Sequence, residues 1–292
     1  MFKSIAVALT LATFALSTPL PRAAVTDTQV LQFALTLEHL ENAFYTEALS
    51  KFSEQDFADA GFEPWVRGRF NQISKHEAAH VAFLESALGD SATKPCKYSF
   101  PFDSPRSFAA LSMVLETVGG SAYLGAAQFL QDKGTLTDAA SILAAESRHS
   151  GWVSAAVLKN QPWEGAFETP LLPSGAFSLA AQFITSCPSD NPALPVQAHP
   201  ALSVSTGTPT PGASVKFTVG GSGSSGTKFV AWLDGVGDPV YTAVGSDGST
   251  TVPKGLAGTV YAAMVSSKDG AVSDATLLSG FAVFQFTFSS QA

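Results

Sequence analysis

The fold is decided by residues 37–45, LEHLENAFY, and by a second copy of their spacing at residues 115–123, LETVGGSAY. Each copy places a tyrosine seven residues after a glutamate and is followed along the chain by a Glu-x-x-His sequence, at residues 77–80 and 146–149. A spacing of three sets glutamate and histidine on one face of a helix, one turn apart. The order Glu, Glu-x-x-His, Glu, Glu-x-x-His therefore predicts a two-metal site inside a four-helix bundle.

Six side chains of these stretches are the candidate metal ligands. They are Glu38, Glu77, His80, Glu116, Glu146 and His149. Carboxylate oxygens combined with two imidazoles suit iron or manganese and leave positions open for dioxygen, peroxide or water. Zinc could bind the same set but would be redox-silent. We expect two divalent metal ions, iron or manganese, as cofactors.

The apolar surroundings of two of these glutamates support the metal site. Glu116 is the only charged residue between Arg106 and Asp132, and Glu146 follows the apolar residues 142–145. An isolated carboxylate buried in such a run costs several kcal/mol or stays protonated, and a metal dication or a partner cation removes that cost. A single Glu-x-x-His sequence is usually part of a solvated helix face. Two of them in this order, inside apolar runs, rarely arise by chance.

Three further residues could contact the ligands. Glu41 lies three residues after Glu38 and could reach the same helix face. The repeat favours Glu38 because Glu41 has no counterpart in the second copy, so Glu41 remains an alternative ligand or a neighbour of the ligands. Tyr45 and Tyr123 are predicted either to hydrogen-bond to the ligand carboxylates or to pack as core aromatics.

Two other histidines lie beside the candidate ligands in the sequence. His39 follows Glu38, and His76 precedes Glu77. Adjacent residues on an α-helix point in directions roughly 100° apart. Both histidines are therefore expected to point away from the metal site, toward the surface or a helix interface.

The spacing of apolar residues predicts helices from residue 27 to about residue 160. The third helix is expected at about residues 107–131 and the fourth at about 136–159, with Thr135 or Thr137 as its cap. The first and last connections are short, whereas residues 91–105 form a long irregular link. This arrangement predicts a four-helix bundle with one long crossover. Residues 176–185 could add a short fifth helix.

Three further parts of the chain differ in composition from the helical part. A Pro-, Asn- and Ser-rich segment at residues 188–200 is predicted to be a linker, and about seven short β-type runs follow it. We predict a multidomain α and β protein, with a bundle at residues 25–187 and an antiparallel β-sandwich at residues 201–292. Residues 1–22 are predicted to be a signal peptide and a short pro-segment, because Lys3 precedes an apolar stretch.

Charge and cysteine content bound the setting of the protein. The net charge is -8 and the pI is about 5.0, which argues against a nucleic-acid partner and against an electrostatic membrane anchor. With the predicted signal peptide, these features predict a secreted protein of the extracellular space or cell wall, without a transmembrane anchor. An even number of cysteines in an exported chain favours a disulfide between Cys96 and Cys187.

Residues 25–185 resemble the secreted ferritin-like domain family, which includes fungal stress-response and plant desiccation-related proteins. The resemblance lies in residues 37–45, 76–80, 116–127 and 146–149. It implies a ferritin-like four-helix bundle with one long crossover, in which the six candidate residues bind two metal ions. The biochemical activity of that family is poorly defined, so the resemblance implies a site and a stress-related context rather than a reaction. The β-rich part lies outside the family pattern.

Two functions follow from these observations. The first is a secreted, stress-related protein whose carboxylate-bridged iron or manganese pair reacts with dioxygen or peroxide, as an oxidoreductase acting on a small oxidant or small molecule. The alternative is a non-enzymatic cell-wall or extracellular structural or protective protein, with a structural or vestigial metal site and a wall or matrix partner for the β-domain. Iron storage is disfavoured because a β-domain on every subunit would crowd the shell of a storage cage.

Overall fold

The computed structural model describes residues 25–204, 209–220 and 228–290, so the predicted signal peptide and pro-segment lie outside the described residues. The helices are α1 (Asp27–Lys51), α2 (Glu54–Asp59), α3 (Trp65–Leu88), α4 (Pro105–Ala126), α5 (Lys133–Trp152) and α6 (Pro173–Ala180). The strands are β1 (Lys97–Tyr98), β2 (Ile184–Ser186), β3 (Leu202–Val204), β4 (Ser214–Val219), β5 (Phe229–Leu233), β6 (Val240–Ala243), β7 (Ser249–Thr251), β8 (Gly258–Val265) and β9 (Leu277–Phe286).

Side-chain caps set the helix starts. The Thr26 hydroxyl accepts a hydrogen bond from the backbone N–H of Gln29, whose side chain accepts from the N–H of Thr26, so two backbone donors at the start of α1 are paired. At α5 the cap is Asp132, whose carboxylate accepts the N–H of Thr135. The prediction of a cap at Thr135 or Thr137 is therefore wrong, because a stronger capping side chain lies a few residues earlier and starts the helix at Lys133.

Helices α1, α3, α4 and α5 form the predicted bundle. Helix α1 packs against α3 and α4 packs against α5, and a long connection that contains β1 joins the two pairs. The bundle is filled by buried aromatic rings, among them Phe44, Phe70 and Phe108, whose ring centroids lie 4.8–5.1 Å apart where they meet at Phe108. The ferritin-like fold class predicted from the sequence is confirmed. The short helix α2 and the earlier start of α6, at Pro173, were not predicted.

The end of the helical part is tied to the long crossover. Strand β1 pairs antiparallel with β2, and a disulfide joins Cys96 to Cys187 directly beside this pair. The crossover is thereby fixed to the segment that follows α6. Closing a loop of 91 residues in this way restricts the unfolded chain, which is the main route by which disulfides stabilise proteins.

The remaining strands of the described residues form two antiparallel sheets, with strand orders β3-β4-β7 and β6-β5-β8-β9. Phe217 of the first sheet packs against Trp232 and Phe284 of the second, with ring centroids 5.8 and 6.0 Å apart. The sheets therefore pack face to face around a hydrophobic core, and the prediction of antiparallel β-structure after the bundle is confirmed.

The four-stranded sheet is covered on both faces. Every residue of β8 is buried. Val260 and Met264 belong to the core of the sandwich, whereas Tyr261 and Val265 belong to the core that includes the helices. The sequence of β8 is consequently apolar at successive positions, and apolar and polar residues do not alternate along it. The helical and β-rich parts therefore share a hydrophobic core. The predicted domain bounds, with the bundle ending at residue 187, a linker at 188–200 and the sandwich beginning at 201, stay a prediction.

Polar contacts cross the same boundary. The Tyr261 hydroxyl lies 2.9 Å from the Ser121 hydroxyl and donates to the carbonyl of Thr117 at 3.3 Å, and both partners belong to α4. The segment Pro105–Phe129 is long and apolar enough to cross a membrane, and 78% of its apolar window is buried inside the described fold. Its hydropathy thus matches its position between the other helices and the sheet.

Gly125 of α4 offers a test of how closely the segment before α6 packs against this helix. A Cβ atom there would lie 1.7 Å from the Leu171 carbonyl oxygen, whereas a Cβ atom at Gly68 of α3 would have no neighbour within 4 Å. We expect Gly125→Ala to lower the free energy of unfolding by about 1–3 kcal/mol or more. The matched control Gly68→Ala should raise it by about 0.5–1 kcal/mol, because alanine favours the helix. Urea titrations followed by circular dichroism would measure both, and equal effects would contradict the packing described.

Candidate metal centre

All six predicted ligands meet at the centre of the bundle, and each of its long helices contributes. Glu38 comes from α1, Glu116 from α4, the pair Glu77 and His80 from α3, and the pair Glu146 and His149 from α5. The four glutamates are 0% exposed, and His149 is 7% exposed. The three-residue spacing within each Glu-x-x-His sequence aims both side chains into the bundle, as the sequence predicted.

The ligand atoms form two overlapping groups. One contains Glu38, Glu77, His80 and Glu146, and the other contains Glu77, Glu116, Glu146 and His149. Within each group the nitrogen and oxygen atoms lie within 4.8 Å of one another. Glu77 and Glu146 belong to both groups, so they would be the carboxylates shared by two neighbouring metal ions. This geometry fits the predicted site, although the role of each residue as a ligand stays a prediction.

Three carboxylates converge on one nitrogen of His80. Its Nδ1 atom lies 3.1 Å from Glu77 Oε2, 3.2 Å from Glu146 Oε1 and 3.3 Å from Glu38 Oε2. A single N–H can satisfy one of these oxygens, and the hydrogen bond goes to Glu77. The other two oxygens, together with Glu146 Oε2 and Glu77 Oε1, are buried without a hydrogen bond among the described residues. Cations at the centre would satisfy all of them, so the donor set fits two metal ions.

His149 presents the same atom to the cluster and is held from behind by His76. Its Nδ1 lies 3.0 Å from Glu116 Oε2 and 3.2 Å from Glu77 Oε1, while its Nε2 lies 2.9 Å from His76 Nδ1. The two rings are stacked with centroids 5.1 Å apart. When Nδ1 of a neutral His149 binds a metal, its Nε2–H can donate to His76, which fixes the tautomer and the orientation of the ring.

His76 is exposed and lies between α3 and α5, so it occupies the helix interface that the sequence predicted as one of its two places. One turn before His80 on α3, it reaches across to the outer edge of His149 on the neighbouring helix. The contact with His149 could not be predicted from the sequence, since it depends on how α3 and α5 pack. His39 points away from the site, because its Nε2 lies 2.9 Å from the carbonyl oxygen of Thr93.

The two tyrosines of the repeat bond crosswise to the glutamates. Tyr45 of the first copy donates its hydroxyl to Glu116 of the second, and Tyr123 of the second donates to Glu38 of the first at 2.6 Å. Tyr45 also lies 2.7 Å from the hydroxyl of Ser112. Each tyrosine thus holds one carboxylate oxygen and leaves the other oxygen directed to the cluster. Of the two roles that the sequence left open for these tyrosines, hydrogen bonding to the glutamates is therefore the one observed.

Glu41 lies at the edge of the cluster rather than in either group. It is 4% exposed and lines a cavity of about 70 Å³ between α1, α4 and α6. A Cβ atom on Gly119 would lie 2.7 Å from Glu41 Oε1 and 3.2 Å from Glu146 Oε2. Glycine at this point of α4 makes room for both carboxylates. The Gly119-Gly120 pair inside an apolar helix was the sequence signal for this close approach, because glycine there weakens a helix.

The electrostatics of the site follow from burial. Desolvation and repulsion between neighbouring carboxylates raise the pKa values of Glu38, Glu41, Glu116 and Glu146. Burial opposes the charge of His80 as well, but its contacts with Glu146, Glu38 and Glu77 outweigh burial and raise its pKa to about 12. For Glu77, burial is outweighed by hydrogen bonds from the two ligand histidines, which lower the pKa to about 2. Without metal, the cluster therefore retains protons that metal binding must displace.

Comparison with known proteins agrees with this description. A family model for the ferritin-like domain matches residues 26–159. Protein rds1 of Schizosaccharomyces pombe (strain 972 / ATCC 24843) is 30% identical over 177 residues, which cover 60% of this chain and 44% of that protein. The chain thus spans less than half the length of this relative. Residues 26–159 constitute a ferritin-like domain with a buried carboxylate and histidine cluster compatible with two metal ions.

The pKa shifts predict that the metal-free protein loses stability as the pH rises from 5 to 8. Above about pH 4.5 the unfolded chain releases carboxyl protons that the folded cluster keeps, and above about pH 6.5 it also releases the proton of His80. The folded state then binds more protons than the unfolded state, so the free energy of unfolding falls with rising pH. The lowered pKa of Glu77 has the opposite sign but acts only below about pH 4.5.

Differential scanning calorimetry of chelator-treated protein would measure this, with a lower Tm expected at pH 8 than at pH 5. Glu146→Gln should flatten the pH dependence, because it removes a buried titrating group, whereas Glu47→Gln on the exposed side of α1 should leave it unchanged. A metal-free Tm that is equal or higher at pH 8 would contradict the assignment of protons to the cluster.

Proposed function

We propose that this chain is a secreted, stress-related ferritin-like protein that holds two iron or manganese ions and reacts with dioxygen or peroxide. The observation that carries the proposal is the set of four fully buried glutamates around two imidazole Nδ1 atoms, three of which, Glu38, Glu77 and Glu146, have oxygens without a hydrogen bond among the described residues. A cluster of this kind is costly unless cations neutralise it. Two dications balance the charge of the four glutamates.

Each side chain of the centre has a definite task in this proposal. Glu77 and Glu146 hold the space between the two metal positions, and the pairs Glu38 with His80 and Glu116 with His149 complete one position each. When bound, iron or manganese supplies one-electron chemistry toward oxygen or peroxide. The protein fixes the ligand geometry and keeps bulk water out, because the ligand carboxylates are fully buried.

A second layer of residues positions these ligands. Tyr45 and Tyr123 hold Glu116 and Glu38 by hydrogen bonds, and His76 holds the ring of His149. Such contacts raise the basicity of metal ligands and fix their orientation. The tyrosine hydroxyls also keep their protons, since burial and the neighbouring carboxylates raise the pKa values of both tyrosines well above 10. They can therefore act as fixed hydrogen-bond donors at neutral pH.

The proposed location and context have separate support. The Cys96–Cys187 disulfide is typical of proteins in oxidising compartments, and the first residues have the composition of a signal peptide. The stress-related context is supported by the resemblance of the motif to the fungal stress-response and plant desiccation-related proteins. The activity of the whole protein is a proposal for this chain.

Metal analysis tests the centre. After reconstitution with iron or manganese and dialysis, we expect inductively coupled plasma mass spectrometry to find two metal ions per chain. The double variant Glu77→Gln with Glu146→Gln should lose at least one ion, because it removes the carboxylates shared by both positions. Glu47→Gln, an exposed glutamate of α1, should retain two. A double variant that keeps both ions would contradict the assignment of the shared ligands.

Turnover tests the reaction. The metal-loaded protein is expected either to convert hydrogen peroxide to water and dioxygen or, with an added reductant that supplies the electrons, to consume dioxygen. An oxygen electrode would follow both reactions, and the rate should exceed that of the Glu77→Gln with Glu146→Gln variant at least about tenfold. The Glu47→Gln protein should match the wild-type rate. If the protein binds two ions per chain but consumes neither oxidant, the redox function is wrong and the structural alternative replaces it.

One observation favours that alternative. The centre connects the bundle helices α1, α3, α4 and α5, and α4 also carries Ser121 and Thr117, which bond to Tyr261 of the sheet. Metal ions in the centre would therefore stabilise the bundle and the surface on which the sheet packs. In this case the protein is a non-enzymatic extracellular protein whose β-sandwich contacts a wall or matrix partner. It predicts a metal-dependent rise in Tm with no consumption of either oxidant.

A further inference from the structure

An open cleft of about 530 Å³ lies on the outer side of α3 and α5, directly behind the metal centre. Its lining consists of Trp65, Arg69, Gln72, Ile73, His76, Arg148, His149 and Trp152. Two of these residues, His76 and His149, join the cleft to the centre, and the others have no part in the function proposed above. The lining combines aromatic rings with cationic groups, which is the composition of a ligand site rather than of a packing defect.

The two arginines of the cleft have unused hydrogen-bonding capacity. Elsewhere in the described chain, Arg67 donates to the carbonyls of Leu49 and Phe52, and Arg106 lies over a phenylalanine ring. The guanidinium of Arg69, in contrast, donates only to Gln72 among the described residues, and that of Arg148 has no hydrogen bond or ion pair with any of them. Each guanidinium carries five N–H donors in a planar fork that matches a carboxylate. Two such groups on one cleft form a local patch of positive charge on a chain with a net charge of -8.

The aromatic side chains define the shape of the ligand. Trp65 is 46% exposed, and its ring lies edge to face with that of Trp152 at a centroid distance of 6.1 Å. Trp152 is fixed from below by Phe70, at 5.2 Å. An exposed tryptophan supported in this way offers a rigid apolar surface on which a flat ring can stack. An inorganic anion would leave this surface unused.

We propose that the cleft is a binding site for a small planar aromatic carboxylate. The carboxylate would pair with Arg69 and Arg148, and the ring would lie against the indoles of Trp65 and Trp152. A neutral aromatic compound would lack the pairing with the guanidiniums, and an aliphatic carboxylate would lack the stacking surface.

The position of the cleft connects its ligand to the centre. His76 lines the cleft, and its Nδ1 contacts His149 Nε2 at 2.9 Å, while His149 Nδ1 lies 3.0 Å from Glu116. A ligand that touches His76 is thus two imidazole rings away from the carboxylate cluster. A role of the ligand as substrate or effector of the centre rests on the proposed function, whereas binding itself does not require metal.

Titration of the full-length, metal-free protein with benzoate tests the site, by calorimetry and by quenching of tryptophan fluorescence. We expect benzoate to bind at least about tenfold more tightly than benzamide or cyclohexanecarboxylate. Arg148→Gln should weaken benzoate binding at least about tenfold, and Trp65→Leu should weaken it several-fold. The matched controls are Trp163→Leu, at a tryptophan that is 60% exposed outside the cleft, and Lys254→Gln, which should change the affinity less than about twofold.

Three results would overturn the proposal. They are no benzoate binding to a protein that is folded by circular dichroism, equal affinity for benzoate and benzamide, or benzoate binding that Arg148→Gln leaves unchanged. Repeating the titration with iron- or manganese-loaded protein separates this site from the centre. Benzoate that binds only the loaded protein would be a ligand of the metal, and the cleft proposal would be wrong. Benzoate that binds a protein unable to hold metal would support the cleft while the proposed function fails.

Discussion

The structure depends on one electrostatic constraint, the burial of four glutamates around two imidazole nitrogens in the middle of the bundle. One N–H of His80 faces three carboxylates, so the protein alone cannot satisfy the oxygens. Neighbouring residues make room for the carboxylates and supply part of the missing hydrogen bonds. Gly119 gives two carboxylates room to approach α4, and the tyrosines take up one oxygen each of Glu38 and Glu116. Two metal ions would complete the arrangement.

The internal repeat makes the two halves of the centre similar, but their surroundings differ. His76 lies one turn before His80, whereas Ala145 occupies the equivalent place before His149. Likewise, Ser112 lies one turn before Glu116 and contacts Tyr45, whereas Ala34 occupies the equivalent place before Glu38. His76 therefore connects His149 of the centre with the protein surface between α3 and α5, at the cleft that contains Arg69 and Arg148. The repeat explains the ligand set, and the departures from it distinguish the two metal positions.

The β-rich part is packed against the bundle rather than attached by a free linker. The close approach of the Phe281 ring of β9 to Gly175 of α6 shows how tightly the sheet fits the helical part, since a Cβ atom at this glycine would overlap the ring. Partly buried Leu194 and Val196, from the predicted linker, pack against the same core. Helix α4 carries both Glu116 and the contacts to Tyr261, so the centre and the sheet share this helix as a common support.

The sequence by itself determined what depends on local periodicity. The repeated spacing identified the six side chains that meet at the centre, and the connection lengths predicted the bundle with its long crossover, because residues three apart share a helix face wherever the helix lies. The short apolar runs predicted the antiparallel sheets. Helix ends were less predictable, as the cap at Asp132 shows, because several capping side chains compete within a few residues.

Contacts between elements were decided only by the tertiary structure. His76 lies beside His149 because α3 and α5 pack in one particular register, and the tyrosines cross between the copies of the repeat because α1 and α4 face each other. The burial of both faces of β8 and the presence of arginines and tryptophans on one cleft are likewise non-local. Sequence spacing fixes the direction of a side chain on its own helix, but the partner it meets depends on how distant segments dock, which no local pattern encodes.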